Sequence, residues 1–108
     1  MSQNKMPLER LKRTTTNENP WLYILTILKR EPVYAYEIQK RIQDEFGFDI
    51  GNVTAYLVLY SLEHKGFVST RWVVKEGRQR KYYYITKTGR ALLDEGVSYL
   101  KSLVEKLG

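Results

Sequence analysis

The chain has 108 residues and a formal net charge of +6, a size that gives one domain with a real hydrophobic core. It contains no cysteine, which excludes a disulfide framework, a thiolate metal site and a cysteine nucleophile. No apolar run approaches the roughly 18 residues of a membrane span, and the start MSQNKMPLERLKR lacks the apolar stretch of an export signal, so the composition reads as cytoplasmic with no membrane partner.

Residues 1–19 are polar, with Pro7 followed by LERLKR and TTTNEN, and read as an N-terminal extension that is either a short helix or disordered. NPWLYILTILKREP then carries the marks of a helix: Asn19 as N-cap, Pro20 at the first helical position and Pro32 as the stop. Trp21, Ile24, Leu25 and Leu28 share its core stripe. In VYAYEIQKRIQDEFG, Ile38, Ile42 and Phe46 recur every four residues and Gly47 suits the residue after a second helix.

A third helix follows in FDIGNVTAYLVLYSLEHKGF, capped at or just before Asn52 and ended by Gly66. At 100° per residue, Ala55, Val58, Leu59 and Leu62 face inward, while Val53, Leu57, Tyr60, Ser61 and His64 lie opposite. That outer face is apolar for a solvent-facing surface. After Gly66 the residues turn β-branched and aromatic: FVSTRWVV and RKYYYIT, joined by KEGRQ, read as a β-hairpin. Alternation sets Tyr83 and Ile85 against Arg80, Tyr82 and Tyr84, with Lys81 reaching out from the strand end, so one face is basic and tyrosine-rich.

The last helix, over 87–108 with Thr86 as its cap, spaces Leu93, Val97, Leu100, Val104 and Leu107 by fours and threes, the seam of a dimerising helix. Leu92, Tyr99 and Leu103 widen that stripe beyond what a monomer covers, although the same periodicity also fits packing within one domain. Charge is distributed as unevenly as hydrophobicity. Lys65, Arg71, Lys75, Arg78, Arg80, Lys81, Lys87 and Arg90 lie in one segment against a single acid, Glu76, whereas the remainder is nearly balanced. Such a patch attracts polyanions, where a merely soluble surface would intersperse both signs.

Three helices followed by a hairpin define the expected fold: mainly α with a small β-hairpin, a winged helix-turn-helix over 20–86, with a two-stranded wing and a long C-terminal dimerisation helix over 87–108. In that arrangement the third helix enters the DNA major groove and the wing flanks it. EPVYAYEIQKRI, TAYLVLYSLEHKGFV and GRQRKYYYITKTGRALL resemble the PadR family of transcriptional regulators. Ala35-Tyr36-Glu37-Ile38 answers the family's Gly-Tyr-Glu-Ile, with alanine for glycine; Tyr56, Leu59, Leu62, Glu63 and Gly66 answer its second motif, and Arg80, Tyr83, Thr86, Gly89 and Arg90 its third. The resemblance spans about residues 20–93 and implies a homodimer, usually a repressor, that binds operator DNA, of the short type with one C-terminal helix. Some members also take a small planar aromatic effector; Trp21, Trp72 and the tyrosines could wall such a site, though aromatics at core spacing are more often core.

The candidate DNA-binding residues are Asn52, Thr54, Tyr56, Tyr60, Ser61 and His64 on the third helix and Lys75, Arg78, Arg80 and Lys81 on the wing. Lys40 and Arg41 could add backbone contacts or form a solvated face. The third helix holds no arginine, so direct base readout is modest, leaning on Val53 and Leu57 against thymine methyls and on DNA shape. An enzyme is disfavoured: there is one histidine, no Gly-rich phosphate loop and no acidic pair in an apolar pocket, and no cofactor or metal is expected. The rival readings are a winged helix docking another protein through Val53 and Leu57, and a sequence-independent, chromatin-like DNA-binding protein.

Overall fold

The computed structural model describes residues 4–108, and prolines and glycines mark several of its helix ends. The order is α1 (Met6–Thr15), α2 (Pro20–Arg30), β1 (Val33–Tyr34), α3 (Ala35–Phe46), α4 (Asn52–His64), β2 (Val68–Lys75), β3 (Arg78–Ile85) and α5 (Lys87–Leu107). Pro20 opens α2, and Pro32, with no N–H and with steric demands on its predecessor, forces the chain out of helix before β1. Gly47 ends α3 at φ 77°, a left-handed conformation that a side chain would resist.

The inward stripes of the three middle helices meet in one core. Ile24, Leu25, Ile27 and Leu28 of α2, Ile38 and Ile42 of α3, and Ala55, Leu59 and Leu62 of α4 are buried together, with Val33, Val68 and Tyr83 closing it from the sheet. Each fully buried aliphatic side chain stabilises the fold by about 1.5–3 kcal/mol. α3 and α4 form the helix-turn-helix, and β2 and β3 the wing. The wing turn has only two residues, Glu76 and Gly77, at φ 54° and 75°. Two positive φ values match the right-handed twist of the strands, so the turn keeps β2 and β3 paired from Lys75–Arg78 down to Val68–Ile85.

The structure departs from the sequence reading at several points. Of the two alternatives for the extension, the structure has the short helix, α1, of ten residues, which brings the helices among the described residues to five against the four of the expected fold; residues 1–3 lie outside the described residues. It is tied to α2 by the Tyr23 hydroxyl, which donates to the Thr15 carbonyl at 2.6 Å, and by the Asn19 amide, which donates to the Thr14 carbonyl at 2.6 Å. Asn19 therefore holds the N-cap position of α2 without capping it, because its side chain serves α1 and accepts from the Trp21 indole. Of the two positions open for the cap of α4, it is the one just before Asn52: Gly51 takes that place, and Asn52 is the first helical residue. The sheet has three strands, in the order β1-β3-β2, with Val33 opposite Tyr83 and Tyr34 opposite Tyr82.

The junction between the wing and α5 is closely built. Thr86 caps α5 as expected, its hydroxyl accepting from the Gly89 N–H at 3.1 Å. The same hydroxyl donates to the Gly66 carbonyl at 2.7 Å, where the Thr88 hydroxyl also donates at 2.9 Å, and the Thr86 N–H donates to the Phe67 carbonyl at 3.1 Å. A Cβ on Gly89 would lie 2.1 Å from that Phe67 oxygen. Gly96, further along α5, meets the Trp21 ring instead.

Asp49 organises the turn before α4. Its carboxylate accepts from the Gly51 N–H at 2.8 Å and from the Gln39 amide at 2.7 Å, and its carbonyl accepts from the Asn17 amide at 2.8 Å. The Gly51 bond first, then the Gln39 bond, hold its carboxyl below the ordinary carboxylate range.

Two measurements check these assignments. Gly89→Ala is expected to cost about 2–3 kcal/mol in urea unfolding because backbone blocks the new methyl group, and Gly96→Ala less, because the Trp21 ring can shift. A carboxyl whose folded pKa is depressed contributes stability that is present above its unfolded pKa and is lost as pH falls through the folded value. The gap in Tm between the native chain and Asp49→Asn should therefore be widest near neutrality and close as pH drops below the ordinary carboxylate range; a constant gap would refute the role given to the carboxylate.

Candidate nucleic-acid interface

α4 presents one side to the core and the other to solvent. Asn52, Val53, Thr54, Tyr56, Leu57, Tyr60 and His64 are exposed, and Ser61 is half-buried. The Tyr60 and His64 rings, one turn apart, stack with 6.3 Å between centroids. No side chain caps the start of α4, so its first-turn N–H groups point outward past Gly51 without a side-chain acceptor. Outward amide donors and the positive end of a helix dipole suit a phosphate oxygen.

Strand register divides the wing into two faces. Arg71, Lys75, Arg78 and Arg80 share one face with Tyr82 and Tyr84, while Thr70, Trp72, Val74, Lys81 and Tyr83 share the other. Tyr83 is buried against the helices, which pushes its phenol pKa up through lost solvation. Arg80 lies over the Tyr34 ring at 4.4 Å and Arg71 over Tyr84 at 5.4 Å, so aromatic faces hold both guanidinium groups. Lys75 and Arg78 flank the exposed tip.

Lys81 departs from the outward position the alternation left open to it. It stands on the face of Tyr83, its ammonium 5.6 Å from that ring and 3.6 Å from the Glu63 carboxylate. Glu63 also accepts from the Thr70 hydroxyl at 2.9 Å and so braces β2 and β3 against the last turn of α4. Arg41 is engaged too, 2.7 Å from Glu31 and 3.7 Å from Glu45, whereas Lys40 is exposed. These acids are unremarkable in the sequence. Only the register of the wing over α4 assigns Glu63 its partners.

Between the start of α3, α4 and the wing lies a groove of about 380 Å³ lined by Tyr34, Tyr36, Tyr56, Trp72, Arg80 and Lys81, among others. Tyr34, Tyr36 and Trp72 were absent from the candidate residues. Tyr36 could have been found from its place at the start of α3, but Trp72 could not, since its face depends on strand register. A second groove, of about 500 Å³, runs between α2, α4 and α5, with Trp21, Leu57, Val58, Phe67 and Leu92 in its walls.

On α5, Leu93 is only 3% exposed and belongs to the protomer's own core. It is therefore removed from the expected seam, because α5 docks on α2 over its first turns. Val97 and Leu100 are partly exposed, and Val104 and Leu107 reach 67% and 80%. Met6, Leu8 and Leu11 of α1 form another exposed apolar set.

Comparison with known proteins agrees with this arrangement. The model of the transcriptional regulator PadR-like family matches residues 24–95. An uncharacterized protein of Lysinibacillus sphaericus is 36% identical over 75 residues, covering 67% of this chain and 69% of that one. A PadR family transcriptional regulator from Eggerthella lenta superposes with a TM-score of 0.80 at 26% identity, over 94% of this chain and 89% of that chain. A PadR family transcription regulator from Clostridium difficile gives 0.71 at 27%, over 83% and 99%. Bacillus subtilis PadR, solved in complex with operator DNA, shares the fold with a TM-score of 0.66 at 22% identity, over 71% and 45%. Matched by the family model through helix-turn-helix, wing and the start of the last helix, the chain belongs to the PadR-like family of transcriptional regulators.

Proposed function

We propose that the chain acts as a homodimer that binds double-stranded operator DNA and represses transcription, with α4 in the major groove and the wing on the backbone or in the minor groove. The observation that carries this reading is the cluster of Lys75, Arg78 and Arg80 on a rigid hairpin beside an exposed helix whose first amides point outward. Phosphates supply the charge these groups match, and a helix beside a hairpin has the shape to span adjacent grooves. Bacillus subtilis PadR, with the same fold, is solved on operator DNA.

Within this reading Asn52 and Thr54 hold phosphate at the start of α4, while Tyr56, Tyr60, Ser61 and His64 line its outer side and Val53 and Leu57 meet thymine methyls. Lys75 and Arg78 track the backbone at the tip. The second copy covers Val97, Leu100, Val104 and Leu107, whose exposure a solitary protomer would leave in water. The same exposure of Val53 and Leu57 supports a second reading, docking of a protein on α4, which would not depend on the basic wing.

Fluorescence anisotropy against labelled duplexes, one random and one from the gene's own upstream region, tests the reading across a salt series. Replacing Arg78 and Arg80 together by Ala is expected to weaken binding by about tenfold or more and to lower the salt slope by roughly one per lost phosphate contact. An unchanged slope would favour the protein-docking reading, and equal affinity for both duplexes a sequence-independent protein. Val104→Asp with Leu107→Asp is expected to shift the chain from dimer to monomer in sedimentation at micromolar concentration. A monomeric native chain would overturn the dimer.

A further inference from the structure

A helix seated in a major groove and a hairpin reaching the neighbouring minor groove straddle one DNA strand, because a single sugar–phosphate backbone separates the two grooves. The groove between α4 and the wing lies where that strand has to pass. Its walls are unusual for a protein surface: Tyr36 and Tyr56 are exposed, and Trp72 is 67% exposed on the face of β2 that turns toward the helices. Lys81 rises on the same face as Trp72, and Arg80, whose side chain leaves the other face of β3 and lies over the Tyr34 ring, reaches only the edge of the groove. Lys81 is directly opposite Trp72 in register, so both side chains rise from the same face of the wing, the ammonium leaning over Tyr83 toward Glu63.

Resting on the DNA-binding reading above, we propose that this groove seats one sugar–phosphate unit of the strand dividing the two grooves, with Trp72 packed on the deoxyribose, Lys81 beside the phosphate and Arg80 at the groove's edge. An indole face suits the C–H edge of a sugar, and an ammonium suits the phosphodiester oxygen next to it. The Tyr36 and Tyr56 hydroxyls add donors on the opposite wall. Glu63 sets the strength of the seat. It holds Lys81 at 3.6 Å, a length at which a phosphate can draw the ammonium away, and Thr70 keeps the carboxylate in place when it does. A backbone contact of this kind fixes the register of α4 on DNA without reading sequence.

The chain has two tryptophans, so Trp21→Phe leaves Trp72 as the sole indole reporter. That variant is titrated with unlabelled random-sequence duplex at low salt, and anisotropy of the same duplex, labelled, follows binding independently. The expected result is that Trp72 emission changes and its quenching by acrylamide falls as the duplex saturates. In the otherwise native chain, Trp72→Ala is expected to bind random and upstream duplexes about tenfold more weakly, by the same factor for both, and Trp72→Phe to recover most of the loss. Thermal unfolding of the Ala variant should match the native chain, since the side chain is mostly in solvent. If the duplex binds while Trp72 emission and accessibility stay fixed and Trp72→Ala binds within twofold of native, the seat is wrong although the DNA reading stands. A loss confined to one duplex would make Trp72 a base contact and overturn the backbone assignment. No anisotropy change in the native chain would remove the DNA reading and this seat with it.

Discussion

Four elements of this fold meet at the carbonyls of Gly66 and Phe67. The end of α4 delivers them, β2 leaves from them, β3 returns to them at Thr86, and α5 starts over them at Gly89. Two threonine hydroxyls, one backbone N–H and the missing side chain of Gly89 are all spent on that contact. Its consequence is mechanical. The wing and α5 cannot be reoriented independently of α4, because the polar groups that position each are shared at one point. The threonine–glycine pairing in the last motif of the sequence thus has a steric cause: one residue caps the helix and the other lets it approach.

Positive charge near the wing falls into two populations. Arg41 and Lys81 are held by acids, and Arg80 and Arg71 lie over tyrosine rings. Lys75 and Arg78 extend into solvent at the tip. Groups of the first kind are preorganised and lose little rotamer freedom when an anion arrives; those of the second reach further and lose more. The tyrosines that crowd β3 serve the first population. Tyr83 anchors the hairpin in the core, and Tyr34 and Tyr84 act as platforms for arginine.

Periodicity and punctuation made most of the fold legible. The stripes of α2, α3 and α4 face the core as their spacing requires, with Trp21, Phe46 and Val58 half-buried at its margin, glycines and prolines mark several of the ends, and the hairpin lies between Val68 and Ile85. What escaped depends on tertiary partners. The choice between helix and disorder for the extension was open in the sequence; α1 is helical although its residues bury nothing, because its end is tied down by Tyr23 and Asn19 from the next helix. β1 has two residues, too short for any alternation to register. Leu93 and Val97 look alike in a heptad, yet α2 covers the first and leaves the second partly exposed. At the candidate interface, the exposed residues of α4 followed from helical geometry. The groove with Trp72, the brace of Glu63 and the engagement of Arg41 did not, because each joins elements far apart in sequence.

The third strand is the least self-sufficient part of the sheet. β2 and β3 are joined by a two-residue turn, so their pairing closes almost no loop, whereas Val33 and Tyr34 meet β3 only after α3, α4 and β2 have intervened. Closing so long a segment costs more entropy than two paired residues regain, and the difference comes from burying Val33 and from the contact of Arg80 with Tyr34. The hairpin is therefore stabilised by local pairing, whereas the pairing of β1 depends on the docking of α2 and α3, which hold it against β3. The platform under Arg80 is thereby supplied by the strand that depends most on the rest of the fold, which ties the electrostatic readiness of the wing to the packing of α2 and α3.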